Sequence, residues 1–227
     1  MAFNSAKNIL VGASPLFLST KDSTVAGYAE NMEPGATGVP FATGTSYTTT
    51  LNAADGSKFR NVGYTNNGLQ ITYNPSYGSV TVDQLLDTAK LFKESMEVMI
   101  ATEMAEGTLE NVVAVFGQSA SSLSADLTAS TSSTQTLKLA AGSLGSEPTE
   151  RQLIAVGNAP TSVTGVVSAE RVYYARRVLS VQQSAFSLAR NNPTTFPVTF
   201  RLLPDGNSAY AGQEYGKIID RVLTVTA

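Results

Sequence analysis

The sequence predicts a mainly β fold: two antiparallel sheets packed as a sandwich or barrel, flanked by one short α-helix and carrying a long extended arm. Two observations favour this class. Several short segments alternate apolar and polar residues, and turns rich in Gly and Pro separate them. The length of 227 residues is also common for a β chain that folds as one unit, so we treat residues 1–227 as a single domain.

The first 58 residues combine one predicted strand with a long segment of little periodicity. Residues 7–20 are predicted to be extended. Their apolar run is too short and too interrupted to span a membrane, and the single Lys7 before it makes a poor signal peptide. Residues 21–58 fit either a disordered excursion or an arm that orders against a neighbouring subunit, because "TSYTTTL" (45–51) has β-propensity but no core of its own.

The middle of the chain carries the clearest strand signals. In "NVGYTNNGLQITYNP" (61–75), alternation follows a tight turn at Asn67 and Gly68, and "SVTVDQ" (79–84) forms a second, shorter strand. Residues 94–106 alternate most cleanly, which predicts a strand with one apolar and one partly acidic face. The apolar face comprises Met96, Val98, Ile100 and Met104, and the opposite face comprises Glu97, Met99, Ala101 and Glu103.

One helix follows this strand in "AEGTLENVVAVFG" (105–117). Thr108 is a suitable N-cap and Gly117 suits the left-handed position after the last turn. A helix of about nine residues is not stable alone in water, where about 12–15 residues are already marginal, so it must dock on a sheet. The residues expected to dock share one stripe at i, i+3, i+4 and i+7: Leu109, Val112, Val113 and Phe116.

The second half of the chain begins with a Ser/Ala-rich insertion at 118–148, in which "TQTLKLAAG" is a strand candidate. After it the sequence again favours strands. These are predicted in the segments 151–157, 169–190, 195–206 and 215–225.

The composition argues against an enzyme. The chain has no His and no Cys, which removes serine- and cysteine-protease arrangements and any disulfide framework. Acidic pairs such as Glu103 and Glu106 have the residue types of a glycosidase, but sugar clefts usually carry Trp, which is also missing. No phosphate-binding or calcium motif is present, so no cofactor and no metal are expected.

Charge is distributed unevenly along the chain. Residues 83–110 contain seven acids and two lysines, whereas residues 151–201 contain six arginines and one acid. The two segments either pair within the monomer or face each other across a repeated subunit interface. Under the second interpretation, the basic interface candidates are Arg171, Arg176 and Arg177.

The stretches "VGYTNNG", "VTVDQ" and "AEGTLENVVAVFG" occur within residues 62–117 in an order that resembles the tail tube (major tail) proteins of long-tailed bacteriophages. Those proteins typically combine a "VG.T.dG" hairpin, a strand running into "vDQ", and a long strand that ends in "aE.TLeNl..a.G" before a short helix. The closing "FPVTFRLLPDGNSAYAGQEYGKIIDRVL" (196–223) is similar to the family's C-terminal strand pair. The 118–148 insertion and the N-terminal run depart from the pattern.

The resemblance implies a virion structural protein, located in the phage tail and, during assembly, in the host cytoplasm. Its subunits would form stacked hexameric rings, a tube through which DNA passes during ejection, and the 21–58 segment would bridge to the adjacent ring. Its partners would be further copies of itself, the tail terminator and the baseplate or tip proteins. Double-stranded DNA and the tape-measure protein would occupy the lumen without specific binding, and no membrane insertion is expected.

The mechanistic hypothesis concerns the predicted strand at residues 94–106. If it belongs to the inner sheet of such a tube, Glu97 and Glu103 point into the lumen, and the negative wall repels phosphates so that DNA slides. Otherwise the two residues lie on an outer face or in ion pairs between subunits. Two further functions remain open: another all-β virion component, such as a head–tail connector or decoration protein, and a surface adhesin or binding module.

Overall fold

The computed structural model describes residues 10, 12–28, 32–52, 58–129, 132–160, 166–182, 185–188, 190, 191 and 193–225; at 125–129, 132, 133, 166, 167, 224 and 225 it describes the backbone only. Ten strands lie within these ranges: β1 (Leu16–Ser19), β2 (Phe59–Asn61), β3 (Thr65–Thr81), β4 (Thr88–Met104), β5 (Leu123–Ala129), β6 (Ser132–Leu137), β7 (Arg151–Asn158), β8 (Val166–Ser180), β9 (Phe196–Leu202) and β10 (Gly216–Val225). The α-helices described are α1 (Tyr47–Asn52) and α2 (Leu109–Val115).

The predicted fold class is confirmed, because the chain is mainly β with one large antiparallel sheet, one small sheet and few helices. The large sheet has the order β2-β1-β7-β8-β9-β4-β3, and β10 pairs with β8 beside this path. β5 and β6 form the small sheet. Of the predicted first strand, residues 16–19 are found as β1, whereas residues 7–9 and 11 lie outside the described residues.

β8 divides the large sheet into two layers. One side of β8 pairs with β7, while the other side pairs first with β10 and then, at Val178–Ser180, with β9. β9 continues into β4 and β3, and these strands pack over β1, β7 and β8. The main core lies between the two layers and contains Leu16, Leu18, Val62, Val98, Ile100, Met104, Ala114, Val115, Leu153, Ala155, Ala175, Val178, Phe196, Val198, Phe200 and Leu202.

The other face of the β1–β7–β8 layer is covered by residues 32–52. These contribute Met32, Val39, Tyr47 and Leu51 to a second core, where they meet Phe17, Phe59, Ile154, Val156, Val172 and Tyr174. The carboxylate of Glu170 on β8 accepts hydrogen bonds from the backbone N–H of Tyr47 (2.8 Å) and the hydroxyl of Ser46 (2.9 Å). It thereby fixes the first turn of α1 on the sheet.

This packing corrects two expectations about the 21–58 segment. "TSYTTTL" contains α1 instead of extended chain, because Tyr47 and Leu51 are one helical turn apart and both reach the second core. Residues 32–52 therefore have a core within their own chain. The parts of the segment at 29–31 and 53–57 lie outside the described residues, and the bridge to an adjacent ring stays a prediction.

The buried carboxylate of Asp22 anchors the start of the 21–58 segment. Asp22 accepts hydrogen bonds from the backbone N–H groups of Ala120 (2.5 Å) and Thr24 (3.0 Å) and lies 3.5 Å from Arg151. Burial alone would raise the pKa of Asp22, but these donors and the charge of Arg151 lower it below its usual value. Asp22 is thus held as an anion that ties residues 22–24 to residues 119–120.

Both predicted ends of α2 are confirmed. The Thr108 hydroxyl accepts from the backbone N–H of Asn111 at 3.4 Å. After the last turn, the N–H of Gly117 donates to the carbonyl of Ala114 and that of Gln118 to the carbonyl of Val113, with Gly117 at φ +63°. This double pattern is a Schellman motif, which explains the glycine at that position.

The face with which α2 docks differs partly from the predicted stripe. Val113 is buried as expected and Val112 is half-buried against the main core, but Leu109 is only half-buried and Phe116 is 38% exposed. The buried face runs instead through Asn111, Val113, Ala114 and Val115. Asn111 can be buried because its amide donates to the carbonyls of Val62 and Glu106 and accepts from Arg60 at 2.7 Å.

β3 and β4 form one long hairpin. The strands predicted at 61–75 and 79–84 are not separate, because β3 runs without a break from Thr65 to Thr81, and residues 82–84 lie in the turn. Asn67 and Gly68 adopt positive φ, as expected, but they do not make the hairpin turn. They form a bulge in β3, where the pairing steps from Asn66↔Glu103 to Leu69↔Thr102.

The 118–148 insertion contains a 3-10 turn at Ala120–Ser122 and the β5–β6 hairpin. Gln135 of β6 donates to Glu110 of α2 at 2.7 Å, which places this hairpin beside the helix. Residues 130 and 131 lie outside the described residues. Within the described ranges, no helix is long and apolar enough to cross a membrane.

Candidate functional site

The outer half of the β3–β4 hairpin projects beyond both cores. We call residues 76–95 the distal ribbon; Gly78 is partly buried and every other residue in it is exposed. Seven of its exposed side chains are large and apolar: Tyr77, Val80, Val82, Leu85, Leu86, Leu91 and Phe92. The distal ribbon is therefore an apolar surface that the described part of its own chain leaves uncovered.

The pairing of β4 explains why the distal ribbon projects. β9 accompanies β4 only from Met99 to Met104, so residues 88–98 pair with β3 alone. At about 3.3 Å per residue, these eleven residues carry the hairpin on the order of 35 Å past the end of β9. Within the described chain, β3 also has no partner along its outer edge.

The distal ribbon was not predicted as a site from the sequence. The pattern of residues 79–84 indicated only a second, shorter strand. A signal was present, because Leu85, Leu86, Leu91 and Phe92 continue the apolar character through the turn and onto both faces of the returning strand. Apolar residues on both faces of a two-stranded ribbon require a partner on each face.

Glu97 and Glu103 lie where the alternation of β4 predicted, on the face opposite the main core. Val98, Ile100 and Met104 are buried on the core side, while both carboxylates are half-exposed on the other side. Glu97 lies 3.7 Å from the guanidinium of Arg201. The two oxygens of Glu103 accept hydrogen bonds from neutral groups, those of Asn66, Asn67 and Thr195.

The three arginines proposed for a subunit interface have partners within the chain. Arg171 makes two hydrogen bonds to Asp220 of β10 (2.5 and 2.7 Å), and Arg177 makes two to Glu150 (2.7 and 2.6 Å). The hydrogen bonds to Asp220 raise the pKa of Arg171, and those to Glu150 raise the pKa of Arg177. These pairs stabilise the fold.

Arg176 is the most buried of the three. Its guanidinium lies 3.6 Å from the ring centre of Tyr210 and 3.4 Å from Glu33, and its Nε donates to the carbonyl of Gln213. Lys217 also pairs with Glu33. The interface role of these three arginines stays a prediction.

The two oppositely charged segments of the sequence are mostly not each other's partners. Among the described ion pairs, Glu97–Arg201 alone joins residues 83–110 to residues 151–201. The arginines pair instead with acids at Asp22, Glu33, Glu150 and Asp220. Most of the negative charge on the β3–β4 hairpin is consequently not neutralised by the arginine-rich segment.

The described residues include no cluster of three or more acidic side chains arranged to hold a metal ion. No protein-family model matches the chain, and no curated protein matches it either.

Proposed function

We propose that the chain is a virion structural protein, the tail tube (major tail) subunit of a long-tailed bacteriophage, which self-assembles into stacked hexameric rings around a channel for DNA. The observation that carries this proposal is the distal ribbon, residues 76–95. It offers seven large exposed apolar side chains on a strand pair that leaves the body of the protein.

The physical reason is that this ribbon is unfavourable in an isolated monomer. A two-stranded hairpin without further packing is marginally stable in water, and a long unpaired edge strand favours association with other chains. An interface of standard size takes about 20–30 residues from each partner, and residues 76–95 approach that size on their own. In the proposed ring the ribbon of one copy contacts a different surface of the next copy, and such head-to-tail contacts form rings when they close.

The outer face of β4 is the proposed lumen wall. Glu97 and Glu103 lie six residues apart on this face, and Glu103 has neutral hydrogen-bond partners. Arg201 offsets the charge of Glu97, so Glu103 supplies the net negative charge of this face. Repeated around a ring, that charge repels the phosphates of DNA, which lets the genome pass without being captured. The tape-measure protein would fill the same lumen before ejection, and the tail terminator and the baseplate or tip proteins would bind the two ends of the tube.

Negative-stain electron microscopy of the purified protein tests the proposal. Stacked rings or tubes of uniform bore are expected. Single rings that do not stack would favour a head–tail connector, and dispersed monomers at high concentration would contradict self-assembly.

A shortened hairpin makes the test specific to the distal ribbon. Tyr77 and Lys93 are paired, so residues 78–92 can be replaced by Asn-Gly, a two-residue turn that suits an antiparallel hairpin. Because the removed residues are almost all exposed, this variant is expected to keep the thermal unfolding temperature of the monomer and to form no tubes. Tubes formed by the shortened chain would show that the ribbon is not the assembly surface.

A further inference from the structure

The main core is open along one side of the sandwich. β10 and β9 pair with successive parts of the same edge of β8. A groove of about 490 Å³ separates β10 from β3 and β4. Its floor is formed by the main-core residues Val98, Ile100, Ala175 and Leu202. We call this the β3–β10 groove.

The rims of the β3–β10 groove are apolar and exposed. Ile71 and Tyr73 lie on the β3 side, and Ile218 lies on the β10 side, each at least 40% exposed. Both rims are also sheet edges, since within the described chain β3 pairs only with β4 and β10 pairs only with β8. Apolar core residues that face an open groove between two unpaired edges indicate a docking site for another polypeptide.

The same chain carries a segment that fits this groove. Leu85 and Leu86 occupy the turn of the distal ribbon, and Leu86 is 112% exposed. A cavity of about 150 Å³ holds one benzene-sized group. The volume of 490 Å³ therefore has room for both leucine side chains and part of a third apolar residue.

Charge favours the same match. Of the described residues that line the groove, Lys217 alone is charged. In the turn of the distal ribbon, Asp83 and Asp87 flank the two leucines, and the turn contains no cation. Lys217 shares the carboxylate of Glu33 with Arg176, so this cluster keeps one net positive charge, and docking of the turn brings carboxylates towards it.

Intramolecular docking is excluded by distance. The groove lies beside Ile100 of β4, and Leu91 is already nine residues further along the same strand, about 30 Å away. A ribbon cannot fold back on its own base without breaking its pairing. The occupant must come from a second copy.

We propose that Leu85 and Leu86 of one copy seat in the β3–β10 groove of the next copy. The inference rests on the proposed function, because it names the contact through which neighbouring subunits join. Each copy then offers one turn and one groove, and the contact repeats head-to-tail around a closed assembly.

Cysteine cross-linking tests the contact directly, because the chain has no cysteine of its own. The double variant Leu86→Cys/Ile218→Cys is assembled under reducing conditions, imaged, and then oxidised. A ladder of cross-linked species beyond the dimer is expected on a non-reducing gel, since a disulfide requires Cα atoms within about 4.4–6.8 Å. The control Leu144→Cys/Ile218→Cys uses a leucine that is 107% exposed in the 138–148 region and should give no ladder.

The outcomes separate the docking from the proposed function. Rings or tubes that yield no ladder from Leu86→Cys/Ile218→Cys would overturn the docking while leaving the tube function standing. A protein that never assembles would overturn both.

Assembly of two Asp variants gives a second test of the docking. Leu86→Asp is expected to abolish assembly, because a carboxylate would enter an apolar groove, while Leu144→Asp should assemble like the parent. Both side chains are fully exposed in the monomer, so the monomer should unfold at the same temperature in both variants. Normal assembly of Leu86→Asp would contradict the docking.

Discussion

Tyr47→Ala tests whether residues 32–52 belong to the body of the chain. Tyr47 is fully buried in the second core, its ring lies 4.8 Å from that of Phe41, and its hydroxyl donates to the carbonyl of Val39. Truncating a fully buried aromatic side chain costs about 3–5 kcal/mol through lost burial and the cavity left behind. That loss is a large share of the roughly 5–15 kcal/mol by which domains are stable.

The assay is thermal or urea unfolding of the monomer, isolated by size exclusion at low concentration. For a chain of this size, each kcal/mol lowers Tm by about 2–4 °C, so Tyr47→Ala should lower it by roughly 6–20 °C. Tyr47→Phe removes only the hydroxyl, and the carbonyl of Val39 keeps the N–H of Gly35 as a partner. Its cost should therefore be about 0.5–1.5 kcal/mol.

The matched control is Tyr64→Ala, because Tyr64 is 81% exposed and its loss should change stability by less than about 0.5 kcal/mol. If residues 32–52 were an arm that orders only against a neighbouring ring, Tyr47→Ala would impair assembly and leave the monomer as stable as Tyr64→Ala. That result would refute the assignment of these residues to the second core.

Three smaller features carry predictions of their own: a constrained glycine, a buried carboxylate and the acidic face of β4. Gly216→Ala should lower Tm by about 2–12 °C. Gly216 has φ +132°, and a methyl group there would overlap the carbonyl of Tyr174. An unchanged Tm would contradict this prediction. Asp22→Asn should lose about 1–3 kcal/mol at pH 7. Since the folded-state pKa of Asp22 is depressed, its stabilisation is present above the unfolded pKa of about 3.9 and disappears as the pH falls through the folded value. Urea unfolding at a series of pH values should show parent and variant converging below about pH 4, and a constant difference would contradict the role of the charge. On the proposed function, Glu97→Gln/Glu103→Gln should leave tube assembly intact and slow DNA ejection from phage, whereas an unchanged ejection rate would argue against a lumen position.

Local patterns in the sequence predicted the features that depend on local structure. The alternation of Val98, Ile100 and Met104 identified the core face of β4 because a strand places every second side chain on one side. Thr108 and Gly117 identified the ends of α2 because capping needs only residues a few positions apart. These interactions are complete within one element.

Features that depend on tertiary contacts were not predictable in the same way. A helical stripe marked Phe116 as buried, but Asn111 takes a core position because Arg60 and the carbonyl of Val62, about 50 residues away, satisfy its amide. In the same way, α1 forms where β-propensity is high, because Glu170 holds the N–H of Tyr47 across 123 residues. One sequence carries no sign of these partners.

The order of strands along the chain has a consequence for synthesis on the ribosome. The β3–β4 hairpin is local and can form as soon as residue 104 has emerged, whereas the β3–β10 groove is complete only once residues 216–218 have been made. At about 5–20 residues per second, the folded hairpin with Leu86 at its turn precedes its proposed acceptor by roughly 6–23 s. Neighbouring nascent chains on one messenger RNA would thus expose the turn of the distal ribbon before they form the β3–β10 groove. Polymerisation could then begin only when each polypeptide is nearly complete.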